Sequence, residues 1–131
     1  MIYLDTHVLV WLFSGAANEL SSTARALIDA EQLLVSPIVG LELQLLYERG
    51  RAKQSAAEVL STLSTDVGLT VCDLAFPLVA ARARDERWTR DPFDRLIVAQ
   101  AQVRGAPLLT RDDRIREHYE RAVWDVAPPT R

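Results

Sequence analysis

The sequence has one cysteine, one lysine and two histidines, and each scarcity removes a class of chemistry. Cys72 cannot form a disulfide within the chain, and no Cys/His cluster has the spacing of a zinc site. In "LTVCD" it reads most simply as a buried strand thiol. Lys53 lies alone in a polar stretch after Gly50, so no lysine is placed to neutralise a buried acid. No apolar run approaches the roughly 18–20 residues of a membrane span. The opening "MIYLDTHVLVWLF" starts as a strand with Asp5 inside it, not as a basic leader, and a cytoplasmic protein is expected. No G-x-G-x-x-G turn follows Asp5, which excludes a dinucleotide fold. A phosphoacceptor receiver fails as well, because Asp5 is followed by Thr6 and His7 and no lysine lies near a strand end. Large positive charge is also missing: the formal net charge of −3 argues against a binder that works mainly by counterion release from nucleic acid.

What remains is ample for one core. With 131 residues, 49% of them hydrophobic, the chain is expected to form a single domain over 1–131, its core spanning about 2–125, with "APPTR" as a loose tail. Five short apolar runs, "MIYL", "LLVS", "LTVC", "PLLT" and "AVWDV", read as strands. Between them lie the helical patterns "SSTARALIDAEQ", "PIVGLELQLLYERG", "SAAEVLSTLSTDVG", "AFPLVAARARDERW" and "PFDRLIVAQAQVRG". Gly50, Gly68 and Gly105 stand as stops, and Ser36 before Pro37 as a start. Alternating strands and helices predict an α/β fold with a parallel sheet covered on both faces.

Several carboxylates stand where a plain scaffold would not place them. Asp91 before Pro92 is a good N-cap, and Asp94 then falls at the third helical position, near the positive end of the helix dipole. Yet Asp94 shares a face with Ile97, Val98 and Ala101, the face that should turn to the sheet. Glu42 shares a stripe with Ile38, Leu45 and Leu46 in the same way. Asp5 closes the first strand, and "PLLT" runs into Arg111, Asp112 and Asp113. In an open α/β sheet the crevice beyond the strands' carboxyl ends is the usual ligand site. Acids from four separate segments can converge there. Buried carboxylates must be protonated, paired with a cation or bound to metal. Hard oxygen donors without Cys or clustered His favour Mg²⁺ or Mn²⁺, and such sites hydrolyse phosphodiesters.

"YLDTHVLVWL", Glu42 in "SPIVGLEL", "RDPFDRLIVAQA" and "LLTRDDRI", in that order across nearly the whole chain, resemble the PIN-domain ribonucleases, specifically the VapC-like toxins of toxin–antitoxin modules. The resemblance implies a three-layer α/β/α fold with a five-stranded parallel sheet of order 3-2-1-4-5. It implies Mg²⁺- or Mn²⁺-dependent endonucleolytic cleavage of RNA, commonly tRNA or another structured RNA, leaving a 5′-phosphate and a 3′-hydroxyl. A homodimer is also implied, as is a cognate antitoxin whose C-terminal segment blocks the acidic site.

Carried over by residue, the catalytic and metal-holding acids are Asp5, Glu42, Asp94 and Asp112, with Asp91 as an additional ligand or a neighbour of the ligands. Thr6 and Thr110 match small hydroxyl positions beside the acids, and Ser36 and Asp113 are weaker supporting candidates, each open to a helix-capping reading. His7 reads as a polar residue at a strand-to-helix turn or as a proton carrier. Of the clustered arginines, Arg90, Arg95 and Arg111 are the first candidates for RNA phosphate contacts. Trp88 is a candidate to stack on an unpaired base. Trp11, Leu12 and Phe13 read as core, with a dimer contact as the alternative. The competing functional reading is a PIN-like module that binds RNA or an antitoxin with little activity, since a metal site can be present yet too loose for catalysis.

Overall fold

The three central strands are short runs of Ile, Leu and Tyr or Val, while the two edge strands begin with Thr70 and Ala122. In the computed structural model, which describes residues 1–125, β1 (Ile2–Leu4), β2 (Leu33–Val35), β3 (Thr70–Val71), β4 (Leu108–Leu109) and β5 (Ala122–Val123) form one sheet. All neighbours are parallel and the order is β3-β2-β1-β4-β5. This is the predicted α/β/α arrangement. The tail "APPTR" lies outside the described residues.

The register is set at the central strand, where Tyr3 stands opposite Leu34 on one side and Leu108 on the other. β1, β2 and β4 are buried along their whole length, as a parallel sheet covered on both faces requires. Strand order reverses at β1, whose neighbours β2 and β4 lead the chain in opposite directions. The ends of β1 and β4 therefore flank the crevice where such sheets bind ligands.

Among the described residues seven α-helices flank the sheet: α1 (Thr6–Ser14), α2 (Ser22–Ala30), α3 (Pro37–Glu48), α4 (Ala56–Val67), α5 (Phe76–Ala83), α6 (Pro92–Arg104) and α7 (Asp113–His118). The starts and stops follow capping chemistry. Ser21, Ser36 and Ser55 accept backbone N–H bonds at the heads of α2, α3 and α4. Gly68 and Gly105 end α4 and α6 with φ of 70° and 63°, a left-handed conformation that costs glycine little.

Three local expectations are corrected. Asp5, expected inside the first strand, instead ends it: "THVLVWLFS" is the helix α1, as the strand-to-helix turn at His7 implies. The Asp5 side chain accepts from Thr6 N–H at 2.8 Å and turns the chain out of β1 into that helix. In α3 the fully buried residues are Val39 and Leu43, one turn apart; Ile38, Leu45 and Leu46 are only half-buried. Glu42 therefore stands at the flank of the packed stripe rather than in its centre. The cap of α7 is Asp112, which accepts from Arg114 N–H at 2.8 Å and Ile115 N–H at 3.2 Å, and Asp113 is the first helical residue.

Candidate active site

The cleft at the carboxyl ends of β1 and β4 has a volume of about 350 Å³ and is lined by Asp5, His7, Val8, Trp11, Glu42, Asp91, Asp94, Arg111 and Asp112. Five of these nine residues are acids. They come from five places in the chain: the end of β1, the middle of α3, the cap and first turn of α6, and the cap of α7.

Three of the acids are also N-caps, and this explains how the cleft tolerates them. Asp5, Asp91 and Asp112 head α1, α6 and α7, so three helix N-termini, each with unpaired N–H groups and the positive end of a dipole, face the crevice. Asp91 accepts from Phe93 N–H at 2.9 Å and from Asp94 N–H at 3.5 Å. Capping and site membership are therefore the same placement.

Two threonines fix the innermost acids. Thr110, fully buried, donates its hydroxyl to Asp5 Oδ2 at 2.7 Å and accepts from Asp112 N–H at 3.0 Å, linking the β1 and β4 ends. The Thr6 hydroxyl donates to Glu42 Oε1. Asp5 is only 8% exposed. Burial raises its pKa; Asp112 raises it further, while the bonds from Thr110 and Thr6 and the nearby His7 oppose the shift. Burial likewise raises Glu42, with Asp5 and Asp91 adding to it and Thr6 and His7 opposing. Asp94 is pushed up to about 7, first by burial and then by repulsion from Asp91, Asp5, Asp112 and Glu42. One carboxyl thus feels all four others, which measures how closely the five converge.

Compensation by protein cations is missing. Among the described residues, none of the five acids forms an ion pair; the cleft's own arginine, Arg111, pairs instead with Glu19 at 2.7 Å. These carboxylates, buried at Asp5, half-buried at Glu42 and Asp94 and exposed at Asp91 and Asp112, offer only oxygen donors, a set suited to Mg²⁺ or Mn²⁺. Among the described residues no three His, Cys, Asp or Glu side chains stand close enough to enclose an ion by themselves. Mg²⁺ commonly keeps several waters and takes only one or two protein carboxylates, so three are not required of such a site.

The remaining predicted site residues divide. The Ser36 hydroxyl caps α3 and donates to Gln100 Oε1 at 3.0 Å, so it serves the α3–α6 contact rather than an acid. The Asp113 side chain is 86% exposed and pairs with Arg116, outside the cleft. Arg95 donates to the carbonyls of Ala83 and Arg84, both at 3.1 Å, and so closes the C-terminal end of α5. Arg90 is exposed and donates to Arg87 O at 2.9 Å. Trp88 stacks flat on His118 at 4.9 Å, with Arg114 over its ring, and does not line the cleft. Two residues that do line it, His7 and Trp11, were given mainly structural roles by the sequence. Their signal is the i, i+4 spacing behind a capping aspartate, legible only once Asp5 is recognised as a helix start.

A sequence model of the PIN domain matches residues 2–121. The chain belongs to the PIN domain family. It is 38% identical over 126 residues to ribonuclease VapC22 of Mycobacterium tuberculosis, a match covering 89% of this chain and 91% of that protein, and is thus a VapC-like member. Two solved structures share the PIN fold. A toxin–antitoxin complex from Klebsiella pneumoniae superposes with a TM-score of 0.60 at 23% identity, over 86% of this chain and 87% of that one. The VapBC2 complex from Rickettsia felis, bound to a DNA fragment from its promoter, superposes with a TM-score of 0.63 at 20% identity, over 95% and 100%. No helix among the described residues of this PIN domain is long and apolar enough to cross a membrane.

Proposed function

We propose that this PIN domain is the toxin of a toxin–antitoxin pair and acts as a divalent-metal-dependent endoribonuclease. The observation that carries the reading is the cleft itself: five convergent carboxylates, three with raised pKa, and no ion pair to any of them among the described residues. Asp5, Glu42, Asp94 and Asp112 would hold Mg²⁺ or Mn²⁺, with Asp91 beside them. A cation held there lowers the pKa of a bound water and offsets charge on a phosphodiester. The chain's own residues supply orientation. Thr110 fixes Asp5 and Thr6 fixes Glu42, so two ligands are held before substrate arrives. Arg111, exposed at the rim, is the phosphate contact that lines the cleft, and Arg90, exposed just before the α6 cap, is the second.

Similarity to a ribonuclease and to toxin–antitoxin complexes supports RNA as the substrate and an antitoxin as the partner; tRNA as the RNA, and an antitoxin C-terminal segment that covers the cleft, belong to our proposal. The products are a 5′-phosphate and a 3′-hydroxyl, and the protein works in the cytoplasm as a homodimer. Leu41 and Phe76, on α3 and α5, line one apolar groove and are 52% and 65% exposed, and this is the face we assign to the second copy.

The test is incubation of purified, antitoxin-free protein with total bacterial tRNA in Mg²⁺, Mn²⁺ or EDTA, followed by end-group analysis. Discrete fragments with 5′-phosphates that require metal are expected. One observation favours the second reading, a binding module of low activity: the acids do not by themselves close around an ion. Tight RNA or antitoxin binding with no metal-dependent fragments would establish that reading instead.

A further inference from the structure

The acidic cleft has a second wall that is not acidic. His7, Val8 and Trp11 project from the first two turns of α1, and Arg111 faces them from the β4–α7 loop. The Trp11 ring is half-buried, packed at 5.8 Å against Trp124 and tilted 58° to it. His7, exposed, stands 6.0 Å from Trp11, and the Arg111 guanidinium lies 5.5 Å over the Trp11 ring. We propose that His7, Trp11 and Arg111 form a seat for one unpaired base next to the phosphodiester that is cut.

The inference rests on the RNA-cleaving reading and adds what selects the bond. Acidic walls repel a phosphate backbone, so the substrate strand needs a hold in the cleft that is not electrostatic. The Trp11 face supplies it once the Arg111 guanidinium that lies over the ring turns to a phosphate, because every base has a π-face and stacking on a fixed ring is tolerant of sequence. The seat is rigidly placed. α1 begins at the Asp5 cap, so His7 and Trp11 sit at fixed helical distance from an acid of the site. Arg111 lies between Thr110 and Asp112 and is anchored in the same way. Its partner Glu19 is half-exposed, and such a surface pair is weak enough to yield to a phosphate. A base held in a helix cannot reach the wall, so the seat selects an unpaired nucleotide rather than a particular letter.

The experiment is a cycle between protein and RNA. A cleaved RNA is prepared with the base removed, one position at a time, around the scissile bond, and kcat/KM is measured with wild type, Trp11→Ala and Trp11→Phe. With wild type, removal of the base at one flanking position is expected to lower kcat/KM by about tenfold, mainly through KM. In Trp11→Ala the same removal has little further effect, and Trp11→Phe retains most of the difference. A merely structural tryptophan would lower activity on every RNA alike and leave the base-removal effect intact. That result overturns the seat, as does a wild type indifferent to base removal at every position. A wild type that cuts no RNA with any metal defeats the function reading, and the seat with it.

Discussion

Asp94 ionises at an ordinary 3.8 when the chain is unfolded and at about 7 in the fold. Between those values the folded protein keeps a proton that the unfolded chain has released, so its stability falls as pH rises across that window. Asp5 and Glu42 shift in the same direction and add to the effect. Metal-free protein is expected to melt at a higher temperature at about pH 5 than at about pH 8. Mn²⁺ competes with those protons, so it should raise the melting temperature more at the higher pH. A fluorimetric melting series with and without Mn²⁺ checks both signs. Thr110 acts one atom further back. Thr110→Val removes the 2.7 Å bond to Asp5 while keeping the shape, and should cost roughly 10- to 100-fold in metal affinity or cleavage, read by titration against the wild type.

Helices carry the acids, and their ends explain what the sequence disclosed and what it concealed. Asp94 was legible because "PFDRLIVAQA" has a cap, a proline and an apolar face in one stretch, and Ile97, Val98 and Ala101 are all buried as the spacing requires. The face that α1 presents was concealed, since "HVLVWLF" is apolar nearly all round and gives no sign that Trp11 lines the cleft. Trp11 read mainly as core and the aromatic search moved to Trp88, which does not line the acidic cleft. Arg95 shows the limit of proximity in sequence: one residue from Asp94, its guanidinium is turned away to the last carbonyls of α5. Arg95→Ala should therefore lower stability by about 1 kcal/mol in urea unfolding and leave the KM for RNA nearly unchanged. A several-fold rise in KM at unchanged stability would restore it as a phosphate contact.

At the scale of the whole molecule, the order of strands followed from a family pattern and not from apolar runs alone, because short parallel strands two or three residues long carry little information about their neighbours. Once β1 lies at the centre, the positions of Asp5 and Asp112 follow, and α6 brings Asp94 to them. Surface assignments do not follow in that way. Phe76 and Leu41 were unremarked in the sequence, and their exposure is visible only in the folded chain. Phe76→Glu is expected to shift the protein from dimer to monomer in sedimentation equilibrium without lowering its melting temperature, since the side chain is 65% exposed within one chain. An unchanged dimer would place the interface elsewhere.

The account turns on five unpaired carboxylates forming a cation centre, and calorimetric titration of metal-free protein with Mn²⁺ near neutral pH, wild type beside Asp94→Asn, tests it most directly. Saturable binding by the wild type, weakened by about tenfold or more in the variant, is the predicted result. Absence of binding in the wild type, or equal binding by both proteins, would contradict it.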